Sequence, residues 1–165
     1  MVEHHEQDDR NRVPGTMTGV VPLSLRCDVA ALRRSTKGSI TGDLHVEVGM
    51  FAFPDRGWSD FVVVVLGWWL RALHRLGAGE QSAELAFMDG PYQMDVTRVD
   101  QSTYELECLE KARSRVVLCN ARVDAMQLVK ETERVAARVS EACTAHNWQS
   151  PDVEILRSLL SQSWP

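Results

Sequence analysis

The sequence predicts an α+β fold: a mainly antiparallel sheet of about five to six strands, covered on one face by a long apolar helix and two C-terminal helices. Three observations lead there. Segments of alternating polarity recur between residues 80 and 120 with turn residues between them, as a meander with one wet face requires. The stretch "FPDRGWSDFVVVVLGWWLRALHRL", Phe53 to Leu76, is apolar over a length that suits a helix better than a strand. After residue 124, two segments carry helical periodicity behind good capping residues. The 165 residues are enough for one domain with a real core.

Taken in order, residues 1–20 read as a polar tail ending in "PGTMTG", and residues 21–165 as the single α+β domain. His4 and His5 stand among acids in that tail, but nothing orders them into a metal site. "VPLSLRCDVAAL" alternates loosely. "GDLHVEVGMFAF" alternates cleanly, setting Leu44, Val46 and Val48 against Asp43, His45 and Glu47. In the apolar stretch, Ser59 and Asp60 are start signals, and Gly77 and Gly79 form a stop. Arg71 interrupts the run, so it is too short to span a bilayer. A helix this apolar is covered on more than one side, and Trp68 and Trp69 both read as core.

Next, "AELAFM" sets Leu85 and Phe87 opposite Glu84, and Asp89-Gly90 marks a tight turn. "YQMDVTRV" opposes Tyr92, Met94 and Val96 to Gln93, Asp95 and Thr97. "TYELECL" opposes Tyr104, Leu106 and Cys108 to Glu105 and Glu107. The turn "EKARS" leads to "RVVLCNA". Asp124 caps a helix whose stripe runs through Leu128, Val129, Thr132, Val135, Ala136, Val139, Ala142 and Cys143. Ser150-Pro151 starts the last helix, with Ile155, Leu156, Leu159 and Leu160 as its expected buried side.

Composition narrows the function classes. A net charge of −5 disfavours nucleic acid and anionic membrane as partners. The cysteines at 27, 108, 119 and 143 include no C-x-x-C pair, so the expectation is reduced thiols in a cytoplasmic protein, with no metal and no cofactor. The first residues lack the basic-then-apolar order of a secretion signal. No G-x-S-x-G, H-E-x-x-H or phosphate-cradling loop occurs, so no catalytic residues are assigned and an enzyme is not expected.

The strongest signal outside the core is charge. Between Glu80 and Glu110 there are eight acids and one base, Arg98. Alternation turns Glu84, Asp95, Glu105 and Glu107 to the wet face, with Glu47 expected to join them. Such a face attracts a basic protein surface.

"F-P-x-x-x-W-S-D-F-V-V-V-V-L-x-W-W" followed by "F-M-D-G-P-Y" resembles a pattern of small bacterial proteins associated with immunity in polymorphic toxin systems. The resemblance covers Phe53 to Tyr92. It implies a small cytoplasmic α+β protein that binds and neutralises a cognate toxin domain, often a nuclease, by occluding it. No site residue follows from the resemblance. Two other readings stand beside it. One is a small ligand-binding domain or enzyme with a pocket near Trp58, Asp60 and His45. The other is a structural adaptor subunit.

Overall fold

The computed structural model describes residues 16–165; the earlier part of the expected tail, with His4 and His5, lies outside the described residues. The chain begins with β1 (Thr16–Val20), β2 (Leu23–Arg26), a 3-10 turn (Val29–Ala31), β3 (Arg33–Arg34) and β4 (Ile40–Asp43). There follow β5 (His45–Val48), β6 (Phe51–Phe53), β7 (Ser59–Asp60) and the apolar helix α1 (Val62–Gly77). The second half holds β8 (Ser82–Ala86), β9 (Tyr92–Arg98), β10 (Thr103–Lys111), β11 (Arg115–Asp124), α2 (Ala125–Ala145) and α3 (Pro151–Leu160). The architecture is α+β, with helices packed on sheet, as the sequence predicts.

Strands β8 to β11 form the antiparallel meander in a five-stranded sheet ordered β1-β11-β10-β9-β8. Its inner positions, Leu85, Met94, Val96, Leu106, Cys108, Cys119 and Val123, are all closed to solvent. Each apolar side chain closed off there stabilises the fold by about 25 cal/mol per Å2 of apolar surface removed from water. The fifth strand departs from expectation. β1 lies in the segment read as tail, yet it pairs in parallel with β11. "TMTGV" carries no clean alternation, and the ladder to β11, extended by Val21 N–H to Arg122 O at 2.9 Å, holds it there.

The expected single strand "GDLHVEVGMFAF" is a hairpin. β5 and β6 pair through a turn in which Gly49 takes φ +58°, and β2 completes a three-stranded sheet ordered β2-β5-β6. The alternation inside it holds: Leu44, Val46 and Val48 are buried. β2 is an edge strand, and α2 covers that edge with side chains. Gln127 Oε1 accepts from Leu23 N–H (3.0 Å), Glu131 Oε2 from Leu25 N–H (3.0 Å), and Arg134 donates to Leu25 O (3.0 Å). The Arg134 guanidinium bonds Glu131 and holds its carboxyl below the usual range. Positions 127, 131 and 134 share one helix face, so α2 satisfies backbone groups that an edge otherwise leaves open to another chain.

α1 lies against β4, β8, α2 and α3. Ten of its residues are buried, but the tryptophan pair is split. Trp69 is fully enclosed, donates its indole N–H to Ala86 O at 2.8 Å and meets Phe87 edge-on at 5.0 Å. Trp68 is 41% exposed, which corrects its reading as core. It lies on the narrow outward stripe Val64, Trp68, Arg71, Arg75, one helical turn apart at each step. No helix is long and apolar enough to cross a membrane.

Both C-terminal helices start as predicted. Asp124 accepts from Gln127 N–H at 2.8 Å, and Ser150 from Val153 N–H at 3.2 Å. On α3 the buried side is Val153, Leu156 and Leu159, whereas Ile155 is 41% exposed. That moves the expected face by about one residue: Ile155 packs beside Trp68 at the surface cleft between α1 and α3.

Candidate functional site

The residues of the F-P…W-S-D-F…F-M-D-G-P-Y pattern come together as one structural knot. Asp60 is 2% exposed. Its carboxylate accepts from the Trp58 indole N–H (3.1 Å), from Phe61 N–H (2.7 Å) and from Asp89 N–H (3.2 Å). One buried charge thus ties the entry to α1 to the β8–β9 turn. Ser59 and Asp60 form β7 rather than the cap of α1: the N-cap is Phe61, which has no side-chain cap. Above the turn, Trp58 and Tyr92 meet edge-on at 5.1 Å. Gly90 sits beneath that ring with φ +67°, and a Cβ there would stand 3.1 Å from the indole and from Tyr92. Phe53 joins the cluster through Phe87 (5.6 Å) and Tyr92 (5.8 Å). Phe53, Trp58, Asp60, Phe87, Gly90 and Tyr92 of the pattern therefore have packing roles, whereas Ser59, Trp68 and Met88 are exposed, and the carboxylate of Asp60 is already committed to three donors.

His45 stands apart from that knot. It lines a shallow depression of about 300 Å3 with Arg26, Cys27, Asp28, Asp43, Glu47 and Gly57, and neither Trp58 nor Asp60 lines it. Burial first, and then the Asp43 charge, push the Cys27 thiol up to about 12, which keeps it from serving as a thiolate nucleophile at neutral pH. Alkylation of native Cys27 should therefore keep rising with pH, about tenfold per unit, well past the ordinary thiol range near 8.5. Cys108, Cys119 and Cys143 are buried and unpaired, so they should react only after denaturation, giving four alkylated thiols in all. Mass spectrometry of iodoacetamide-treated protein across pH measures both. A Cys27 plateau below pH 9 would contradict the account. Among the described residues, no three His, Cys, Asp or Glu side chains converge to hold a metal ion.

The five acids expected on the binding face divide four to one. Glu47 belongs to the β2-β5-β6 sheet and not to the meander. It is held by Arg56 (3.0 Å) and Arg26 (3.3 Å) and lies 3.5 Å from His45 Nε2. Partial desolvation opposes its charge, but Arg26, His45 and Arg56 outweigh it and hold the carboxyl below its ordinary value. Glu47 is a locally neutralised residue on a different surface.

The other four do share the outer face of the meander. Register places Glu84 directly across from Asp95, and Asp95 directly across from Glu107, so three carboxylates stand side by side on three adjacent strands. Glu105 occupies the neighbouring row, across from Thr97 and Arg122. A depression of about 520 Å3 runs along the acids, lined by Arg75, Ser82, Glu84, Asp95, Thr97 and Glu107.

Cations temper this face. Arg115 reaches Glu107 (3.1 Å) and Asp95 (3.7 Å), Lys111 stands 3.9 Å from Glu84, and Asn120 donates to Glu105 at 3.2 Å. Sequence reasoning missed these residues because it stopped counting at Glu110. The signal was the next segment, "KARSR", two of whose cations, Lys111 and Arg115, stand beside the acids at the β10–β11 hairpin.

The molecule is thus a mixed α+β protein with a wet sheet face bearing acids in register. Comparison with protein-family models, with curated proteins and with solved structures gave no match.

Proposed function

We propose that the chain is an immunity-type protein that binds a basic surface of a cognate toxin domain and neutralises it by occlusion. The observation that carries this reading is the row Glu84, Asp95, Glu107. Like charges directly opposite one another on neighbouring strands destabilise a sheet. Three in a row, with Arg115 between the last two and Lys111 3.9 Å from the first, still leave one more acid than cations on the row. A basic partner would relieve that repulsion as it docks, so part of the binding energy is already stored in the free protein. The F-P…W-S-D-F…F-M-D-G-P-Y resemblance supports the same reading, and the knot shows how those residues would hold the sheet to α1. A cytoplasmic setting belongs to the proposal and accords with four unpaired cysteines.

The test is co-expression with the toxin domain encoded beside the chain's own gene. Recovery of a one-to-one complex, with loss of toxicity, is the expected result. Continued toxicity with no complex would reject the proposal.

A further inference from the structure

The inner side of the sheet carries a second feature, independent of the acidic face. A cavity of about 360 Å3 opens between the C-terminal turns of α1, the start of α2 and the β9–β10 turn. Leu73, Tyr104, Val129 and Trp164 give it apolar walls, and Arg98 gives it a cation. Two of the walls are fixed. Trp164 stacks on His74 with ring centroids 4.0 Å apart and planes 15° apart, and Tyr104 is buried with the Arg98 guanidinium 5.9 Å above its ring.

Arg98 donates to Leu76 O at the end of α1 and makes no ion pair among the described residues. A guanidinium has five donors, and one carbonyl leaves most of them without a partner. The acids nearby are otherwise engaged. Asp124, on the rim, caps α2, and Asp100 accepts from Ser102 and Thr103. The volume falls in the range of small-molecule sites, which pair apolar walls with a few polar groups.

We propose that this cavity binds a small organic anion with a flat apolar body. Its carboxylate or sulfonate takes the free donors of Arg98 in a forked contact, and its rings lie among Tyr104, Trp164, Leu73 and Val129. The site does not depend on the toxin-binding reading, because it lies on the other face of the sheet.

Calorimetric titration with 1-naphthaleneacetate and with its neutral amide, 1-naphthaleneacetamide, tests this. The acid should bind at least about tenfold more tightly than the amide, since only the carboxylate accepts the charged fork. Arg98→Lys keeps the charge but loses the fork and should remove most of that preference. Met126 lines the cavity and is 54% exposed, so Met126→Trp should block entry while leaving the melting temperature unchanged. Failure of the acid to bind at millimolar concentration, equal binding of acid and amide, or undiminished binding by Met126→Trp would each overturn the proposal.

Discussion

Asp60→Ala should unfold the protein at much lower denaturant than wild type, with a loss of about 3–5 kcal/mol. The carboxylate is buried and accepts from Trp58, Phe61 and Asp89, and all three donors lose their acceptor at once. Each buried donor left unmatched costs about 1–3 kcal/mol. Asp60→Asn should recover part of the loss, because its amide oxygen still accepts while its NH2 group meets a donor it cannot pair with. Urea titrations followed by tryptophan emission measure the series. The order of midpoints expected is wild type, then Asn, then Ala. A midpoint for Asp60→Ala equal to wild type would mean that the knot does not hold α1 to the β8–β9 turn.

The neighbouring tryptophans should behave in opposite ways. Trp69→Ala removes a fully enclosed indole, its hydrogen bond to Ala86 O and its edge contact with Phe87, for an expected loss of about 3–5 kcal/mol. Trp68→Ala removes a half-exposed ring and should cost about 1 kcal/mol or less. The same denaturation experiment distinguishes them, since the two variants differ by one residue on one helix. Equal losses would show that Trp68 is covered, contrary to the outward stripe it shares with Arg71 and Arg75.

That stripe is legible in the sequence. The run from Val62 to Leu76 is so apolar that it looks buried all round, yet Arg71 and Arg75 stand three and seven residues after Trp68, on its own side. On α3 the face fixed by Val153, Leu156 and Leu159 has the right period, but five apolar residues in ten, Ile155 and Leu160 among them, permit two stripes. The meander was legible because its alternation is strict. Leu85, Met94, Val96, Leu106 and Cys108 turn inward, while Glu84, Asp95, Glu105 and Glu107 turn outward, as period two demands.

The remaining differences have other physical origins. Short strands such as β3, β4 and β7 are two to four residues long, too short for a periodic signal. β1 is held by backbone bonds, to which side-chain patterns are blind. The position of Glu47 depends on which sheet β5 enters, and its alternation is the same in either. The row of three carboxylates was half legible: facing follows from the sequence, whereas register follows from the turns that join the strands. The cavity beside Arg98 had no signal, because its walls come from α1, α2, the strands β9 and β10 and the C-terminal segment, far apart in sequence.

Charge reversal at both ends of that row tests the acidic face most directly. In Glu84→Lys with Glu107→Lys, each lysine stands across from Asp95, turning two repulsive neighbours into attractive ones. The free protein should melt near the wild-type temperature, because two new pairs with Asp95, worth about 0.2–1 kcal/mol each, offset the loss of Arg115–Glu107 and Lys111–Glu84. Binding to the toxin domain should weaken by about 2 kcal/mol or more, with slower association, and raised salt should slow association of the wild type far more than of the variant. Stability is held while affinity falls, so a folding defect cannot imitate the result. Wild-type affinity in the folded double variant, together with salt-insensitive association, would contradict the claim that the row Glu84, Asp95, Glu107 forms the binding face.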